Sequence, residues 1–234
     1  MSAEKQSARA RGLLDRERVL SAAVTLADAD GLPAVTMRSL AASLDVEAMS
    51  LYHHVPGKAA LLDGLVEAVL TEIADELARR GQADATGWRP LVRQHCLIAR
   101  EVMLRHPWAP GLIGARPSVP LAAFAHYEAV LAALIDGGFS YRLAHRALHA
   151  LGSMILGFVS EPFSPSSADA DESGENDLAP LAEAMPQLAA MVASEMHAAD
   201  DPTLGWCDSQ TEFEFTLDLL LDGLGRHHAV EASG

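Results

Sequence analysis

Cysteine is scarce in this chain. Only Cys96 and Cys207 occur in 234 residues, 111 positions apart and without a Cys-x-x-Cys spacing. Neither a disulfide framework nor a zinc ribbon is signalled, and buried thiols are the expectation. Long apolar runs are missing too: charges interrupt every apolar segment within about ten positions, short of the roughly 18 to 20 a membrane span needs. Met1 to Arg11 is polar, with Lys5, Arg9 and Arg11, and lacks the apolar stretch of a secretory signal. A cytoplasmic protein with no membrane partner is therefore expected. There is no Gly-rich phosphate loop, Gly-x-Ser-x-Gly elbow or Rossmann fingerprint, so the sequence offers no catalytic residue and no cofactor to name. Positive charge is also in short supply, 17 Lys plus Arg against 32 Asp plus Glu for a net charge of −15, which taken alone argues against a nucleic-acid partner.

What is present changes that reading. With 50% apolar and 21% charged residues the chain can bury a real core, in one large or two modest domains. Residues 1–60 hold seven basic and seven acidic side chains, whereas residues 61–234 hold ten basic and 25 acidic. All the net negative charge lies in the second part, which permits a small DNA-contacting head on an acidic body.

Periodicity predicts an all-α chain. Val19, Ala22, Ala23, Leu26 and Ala27 recur at helical spacing between Arg16 and Ala29, and Gly31 ends that stretch. Thr36 is placed to cap a two-turn helix burying Met37, Leu40, Ala41 and Leu44. A third helix is expected from Glu47 to Val55 with Leu51 and Val55 inward, stopped by Pro56 and Gly57. A long helix from Lys58 to Arg80 then carries Leu62, Leu65, Val66, Val69 and Ile73 on one face. Further helices are expected over Pro90–Arg105, Trp108–Ile113, Pro120–Asp136, Tyr141–Glu161 and Asp177–His197, the last with a kink at Pro186. Residues 164–177, with five acidic side chains and no large apolar one, read as a mobile loop. The final helix is marked by a capping box of Ser209 and Glu212 ahead of Phe213, Phe215, Leu217, Leu219, Leu220, Leu221 and Leu224.

Residues 36–55 have the spacing of a helix-turn-helix, whose second helix can enter a major groove. That helix offers Ser50, Tyr52, His53 and His54 on faces away from Leu51, groups suited to base edges and phosphates. Periodicity by itself equally describes a solvated helical hairpin. The sequence VTMRSLAASLDVEAMSLYHHVPGKAALLDGL, from Val35 to Leu65, resembles the DNA-binding head of TetR-type transcriptional repressors. The segment LYHHVPGKAALLD carries most of the likeness, which spans about Arg16 to Ile73. Further along, GWRPLVRQH (87–95), GARP (114–117), GGFS (137–140), LGFV (156–159) and FEFTLDLLLDGL (213–224) are similar, in order, to the ligand-binding domain of the tetracycline-repressor branch.

The resemblance implies a three-helix head, residues 1–63, and a larger helical ligand-binding and dimerisation domain, residues 64–234. It implies that Tyr52, His54 and Lys58 grip phosphates or the groove edge and that Thr36 and Arg38 face DNA. Arg38 is the best-suited candidate for bidentate guanine recognition. Ala48, Met49, Ser50 and His53 match variable base-reading positions. Asp45 departs from the family's turn glycine, and Asp tolerates the left-handed conformation better than most residues. In the body, Glu161 matches an acidic position of the branch. Its metal-binding His, however, falls near Leu112, Ser153 stands in place of another His, and His95 stands where an amide is expected. Those departures argue against magnesium-bound tetracycline. Met103, Trp108, Phe124, Tyr127 and Phe158, with His95, His149, Ser153 and Glu161 as polar members, form the candidate ligand set for a largely apolar molecule; core packing is the alternative for each. His145 and His149 share a helical face at i and i+4, but no third ligand is evident and no metal is assigned.

A head this small reads few base pairs, so a homodimer with heads about 34–36 Å apart on a palindromic operator is expected. The small residues Ala150, Gly152 and Gly157 of the Tyr141–Val159 helix and the Leu-rich helix from Phe213 to Leu224 suit a four-helix interface. Ligand entry would tilt the Lys58–Arg80 helix and release a repressor. The alternative expectation is an all-helical small-molecule-binding protein or enzyme with no DNA-binding role.

Overall fold

The computed structural model describes residues 14–81, 87–116, 121–158, 183–195 and 209–233. Among these every regular element is helical: α1 (Arg16–Asp30), α2 (Met37–Leu44), α3 (Ala48–Leu51), α4 (Lys58–Arg80), α5 (Trp88–Arg105), α6 (Ala109–Ala115), α7 (Leu121–Asp136), α8 (Tyr141–Gly157), α9 (Pro186–Glu195) and α10 (Ser209–Ala232), with a 3₁₀ turn at Leu32–Ala34. The chain folds as two compact units, residues 1–137 and 138–234.

The first unit is built on α4, which packs against α1, α5, α6 and α7. Asp15 caps α1 by accepting from the Arg18 amide at 2.8 Å, and the Gly31 amide closes its far end on the Ala27 carbonyl. Val19, Ala23 and Ala27 are buried, with Leu20 beside them. A β-carbon at Gly64 would lie 2.4 Å from Leu20 Cδ2, so the glycine lets α4 approach α1. On α4 the buried face holds Leu61, Leu65, Val66, Val69 and Ile73, while Leu62 is only half-buried. The inward stripe thus begins one residue earlier than the sequence suggested. Each of these fully buried aliphatic side chains contributes about 1.5–3 kcal/mol of burial.

Several expected boundaries move. Expected over Glu47–Val55, α3 is α-helical only over Ala48–Leu51 and continues as turns to Val55. Pro56 disfavours helical geometry in the residue before it, which accounts for the unwinding. Leu51 and Val55 are nonetheless buried as expected. The kink expected at Pro186 is a break: Glu183 and Ala184 are helical, Met185 is not, and Pro186 starts α9, a position where its missing N–H costs nothing. α10 begins at Ser209 and runs on to Ala232, past Leu224. The loop expected at 164–177 and the ends of two expected helices (159–161, and 177–182 with 196–197) lie outside the described residues.

In the second unit α8 packs against α10. Ser140 caps α8 on the Leu143 amide at 3.1 Å and donates to Glu231 at 2.7 Å. Phe139 stacks on His228 with centroids 4.4 Å apart, and Phe158 meets Phe213 edge-on at 5.5 Å. Leu151, Phe213, Leu217 and Leu221 form its buried seam. Of the two cysteines, Cys96 is buried, and burial pushes its thiol up to about 12, an inert group. Cys207 lies outside the described residues.

Candidate DNA-binding and ligand sites

The turn between α2 and α3 decides where α3 points. Asp45 sits in the left-handed region at φ 55 and ψ 48, the Asp45 amide reaches the Ala42 carbonyl and the Val46 amide reaches the Ala41 carbonyl. That pair of bonds is a Schellman closure, made here without glycine. At the other end of α2, the Ser39 amide donates to Thr36 Oγ1 at 3.0 Å while the Thr36 amide donates to Ser39 Oγ at 2.9 Å. Thr36 thus fixes the start of α2, in addition to being exposed on the expected DNA side.

With Leu51 and Val55 anchored, the outward residues divide clearly. Met49 is 73% exposed, Tyr52, His53, Arg38 and Lys58 are also exposed, and Ala48, Ser50 and His54 are half-buried. Lys58 is the first residue of α4, following Gly57 at φ 109, a conformation that favours glycine. All nine sequence-predicted contact residues therefore fall within the one α2–α3–α4 corner.

The ligand candidates scatter. A cleft of about 400 Å³ lies between α4, α5 and α7. Ala74, Leu77 and Ala78 form one wall, Leu91, Gln94 and His95 a second, Ala125, His126 and Ala129 the third, and Gly81 an edge. Of the predicted set only His95 lines it. Met103 is buried in the core, and Phe124 and Tyr127 are exposed, touching each other edge-on at 6.4 Å. His149 and Ser153 lie on exposed positions of α8, and His149 Nε2 is 3.1 Å from His145 Nε2. Phe158 packs on Phe213, and Glu161 lies outside the described residues. Among the described residues no group of three or more His, Cys, Asp or Glu could hold a metal.

His126, which the sequence reading missed, stands with its ring centroid 5.7 Å from that of His95. Burial drives the His95 imidazole down to about 4, with the His126 charge adding to the effect, and burial lowers His126 as well. At neutral pH both rings are uncharged. His95 Nδ1 is shut off from solvent without a hydrogen-bond partner among the described residues, and Gln94 donates to the Gly81 carbonyl at 3.1 Å.

Trp108 is committed elsewhere. Its Nε1 donates to Asp28 of α1 at 2.7 Å, and Asp28 also receives His106 Nδ1 at 2.8 Å. His106, only 6% exposed, places its other nitrogen 2.9 Å from Glu72 of α4. Glu72 further accepts from Arg105 at 2.7 Å, Arg105 reaches Glu101 at 3.1 Å, Glu101 accepts from Arg80 at 2.7 Å, and the buried Glu76 pairs with Arg79 and Arg80. Although burial opposes charge on Glu72, bonds from His106 and Arg105 hold its carboxyl below the usual range; Glu101 is lowered chiefly by Arg80. Arg116, after α6, donates to Asp63 at 2.8 Å. Helix α1 is therefore tied to α4 and to the end of α5 through His106, whose two carboxylate partners lie 34 and 78 positions away in sequence, a separation that periodicity cannot reveal.

Comparison with known proteins agrees with this architecture. Residues 19–65 match the family model of bacterial regulatory proteins, tetR family, and residues 81–227 match that of the tetracyclin repressor-like C-terminal domain. An HTH-type transcriptional regulator of Saccharopolyspora erythraea is 38% identical over 157 residues, 67% of this chain and 64% of that protein's length. The class A tetracycline repressor from transposon 1721 in Escherichia coli is 30% identical over 218 residues, 93% of each chain. A crystal structure of a possible TetR family transcriptional regulator from Streptomyces coelicolor A3(2) superposes with a TM-score of 0.70 at 27% identity, covering 91% of this chain and 99% of that one. With a helix-turn-helix corner at its start and a larger helical body after it, the chain belongs to the TetR family of transcriptional regulators, in the branch with a tetracycline repressor-like C-terminal domain.

Proposed function

We propose that this regulator is a repressor that binds a palindromic operator as a homodimer and leaves it when a small, largely apolar molecule enters the body. The observation that carries the DNA half is the α2–α3–α4 corner, where Leu51 and Val55 are buried and Met49, Tyr52, His53, Arg38 and Lys58 face outward. Residues 1–63 act as the DNA-binding head and residues 64–234 as the ligand-binding and dimerisation body. Arg38 reads a base edge, Lys58 and Tyr52 hold phosphates, and Ala48, Met49, Ser50 and His53 set the remaining sequence preference. The cleft between α4, α5 and α7 is the inducer site. It shares α4 with the head, and the Asp28–His106–Glu72 bridge passes any shift of α4 or α5 to α1. No catalysis is invoked, and the protein works in the cytoplasm, where its operator is.

The homodimer reading is supported by α10, where Phe215 is 61% and Leu219 53% exposed one turn apart, opposite the buried Phe213–Leu217–Leu221 seam. A second copy covering this stripe with α8 and α10 accounts for large apolar groups left in water.

Selection of bound duplexes from a random DNA pool tests the reading. A two-fold symmetric sequence is expected, with affinity that falls steeply with salt. Arg38→Ala and Lys58→Ala should each weaken that site by about tenfold, roughly 1.4 kcal/mol, with sedimentation unchanged. No enriched sequence and no binding at low salt would leave an all-helical small-molecule-binding protein instead.

A further inference from the structure

The cleft between α4, α5 and α7 has an unusual polar inventory. Its walls are Ala, Leu and Gly apart from Gln94, His95 and His126, and among the described residues no Asp, Glu, Lys or Arg lines it. Gln94 gives one N–H to the Gly81 carbonyl, and its remaining amide groups stand beside the two imidazoles as the polar groups a ligand can meet. His95 Nδ1 lacks a hydrogen-bond partner among the described residues, a cost that a ligand group could remove.

We infer that this cleft takes an uncharged, largely apolar molecule whose polar group is a hydroxyl, phenolic or alcoholic, bonded to the His95–His126 pair. The inference rests on the reading of the cleft as the inducer site. A neutral imidazole presents one N–H and one lone pair, and a hydroxyl meets either, whichever tautomer is present. A carboxylate or sulfonate requires a donor at every contact and gains most from an imidazolium. Burial and the mutual repulsion of the two rings oppose that charge, with His95 held at about 4. An anion would also lose its hydration, with no Lys or Arg among the described wall residues to replace it. A cleft of about 400 Å³ accommodates a fused aromatic ring system and excludes much larger ligands from full enclosure.

Titration of the full-length protein with 2-naphthol, naphthalene and 2-naphthoate at pH 7.5 tests this. The same titrations are made on His95→Leu, His126→Leu and Ala78→Trp. In the unaltered protein 2-naphthol should bind about tenfold tighter than naphthalene, and 2-naphthoate should be the weakest. His95→Leu or His126→Leu should erase the preference for 2-naphthol while keeping naphthalene, and Ala78→Trp, which fills the cleft from an exposed position, should abolish all binding. Binding of 2-naphthoate as tight as that of 2-naphthol, or a preference surviving both histidine variants, overturns the ligand class and leaves the cleft as a site. If none of the three binds a protein with an intact melting transition, or if Ala78→Trp binds as the unaltered protein does, the cleft itself fails as the inducer site.

Discussion

Two histidines of one helix segment meet opposite surroundings. His95, in the middle of α5, lines an apolar cleft, and burial keeps its ring uncharged. His106, at the end of the same helix, is more deeply buried yet has a carboxylate against each ring nitrogen. Burial depth alone therefore does not decide the role of an imidazole. Its partners do, because a buried polar group that is bonded on every side stabilises the structure and one that is not costs stability. One ring joins helices through two carboxylates, whereas the other lines a cleft with a nitrogen that has no partner among the described residues.

The largest effect that separates the two sites is expected on stability. His106→Leu leaves Asp28 and Glu72 facing an apolar side chain and should cost about 1–3 kcal/mol after allowing for their partial exposure, lowering the melting temperature by roughly 2–4 °C for each kcal/mol. His95→Leu removes an unpartnered nitrogen and should change stability by less than about 1 kcal/mol in either direction. Equal losses in the two variants, measured by urea unfolding, would erase the distinction.

The pH dependence sharpens it next. A histidine whose folded value is lowered binds its proton more readily when unfolded, so stability is fully present above pH 6.5 and declines as pH falls toward about 4. That decline should flatten in the His95→Leu, His126→Leu double variant. Glu72 and Glu101, lowered in the fold, add stability that is present above the ordinary carboxylate range and lost as pH falls through their depressed values. The double variant should keep this more acidic loss. A profile unchanged by the double variant would show that the cleft histidines are not the groups titrating.

A smaller effect is expected from Asp28→Asn. The amide oxygen still accepts from Trp108, so only the charge facing His106 is lost, at about 0.5–1.5 kcal/mol. Operator affinity should fall more than in a surface control, because α1 is tied to α4 through this residue and His106. An affinity equal to that of the control would show that the bridge is structural and carries no signal to the head.

Much of the fold was legible in the order of the residues. The stripe Val19, Ala23, Ala27 located α1, Thr36 located the start of α2, and Gly57 followed by Lys58 located the start of α4. The helix-turn-helix corner was legible for the same reason: its residues lie within 23 positions, from Thr36 to Lys58, and local spacing fixes which of them face outward. Asp45 shows how far this goes, since its short polar side chain was compatible with the left-handed turn that it adopts. The cleft proposed as the ligand site was not legible. Periodicity identifies a residue as inward or outward on its own helix, but Met103 inward means core while His95 inward means cleft, and only the packing of α4, α5 and α7 separates them.

The sequence by itself determined an all-helical chain with a neutral first part, an acidic remainder and a helix-turn-helix corner, because helix periodicity, caps and turn chemistry act over a few residues. The tertiary structure decided which histidines share a cleft, and that Trp108 serves Asp28 instead of a ligand. It also decided that His106 joins two helices whose carboxylates lie 34 and 78 positions away. Those outcomes depend on distance in space, which the chain sets only when its helices pack.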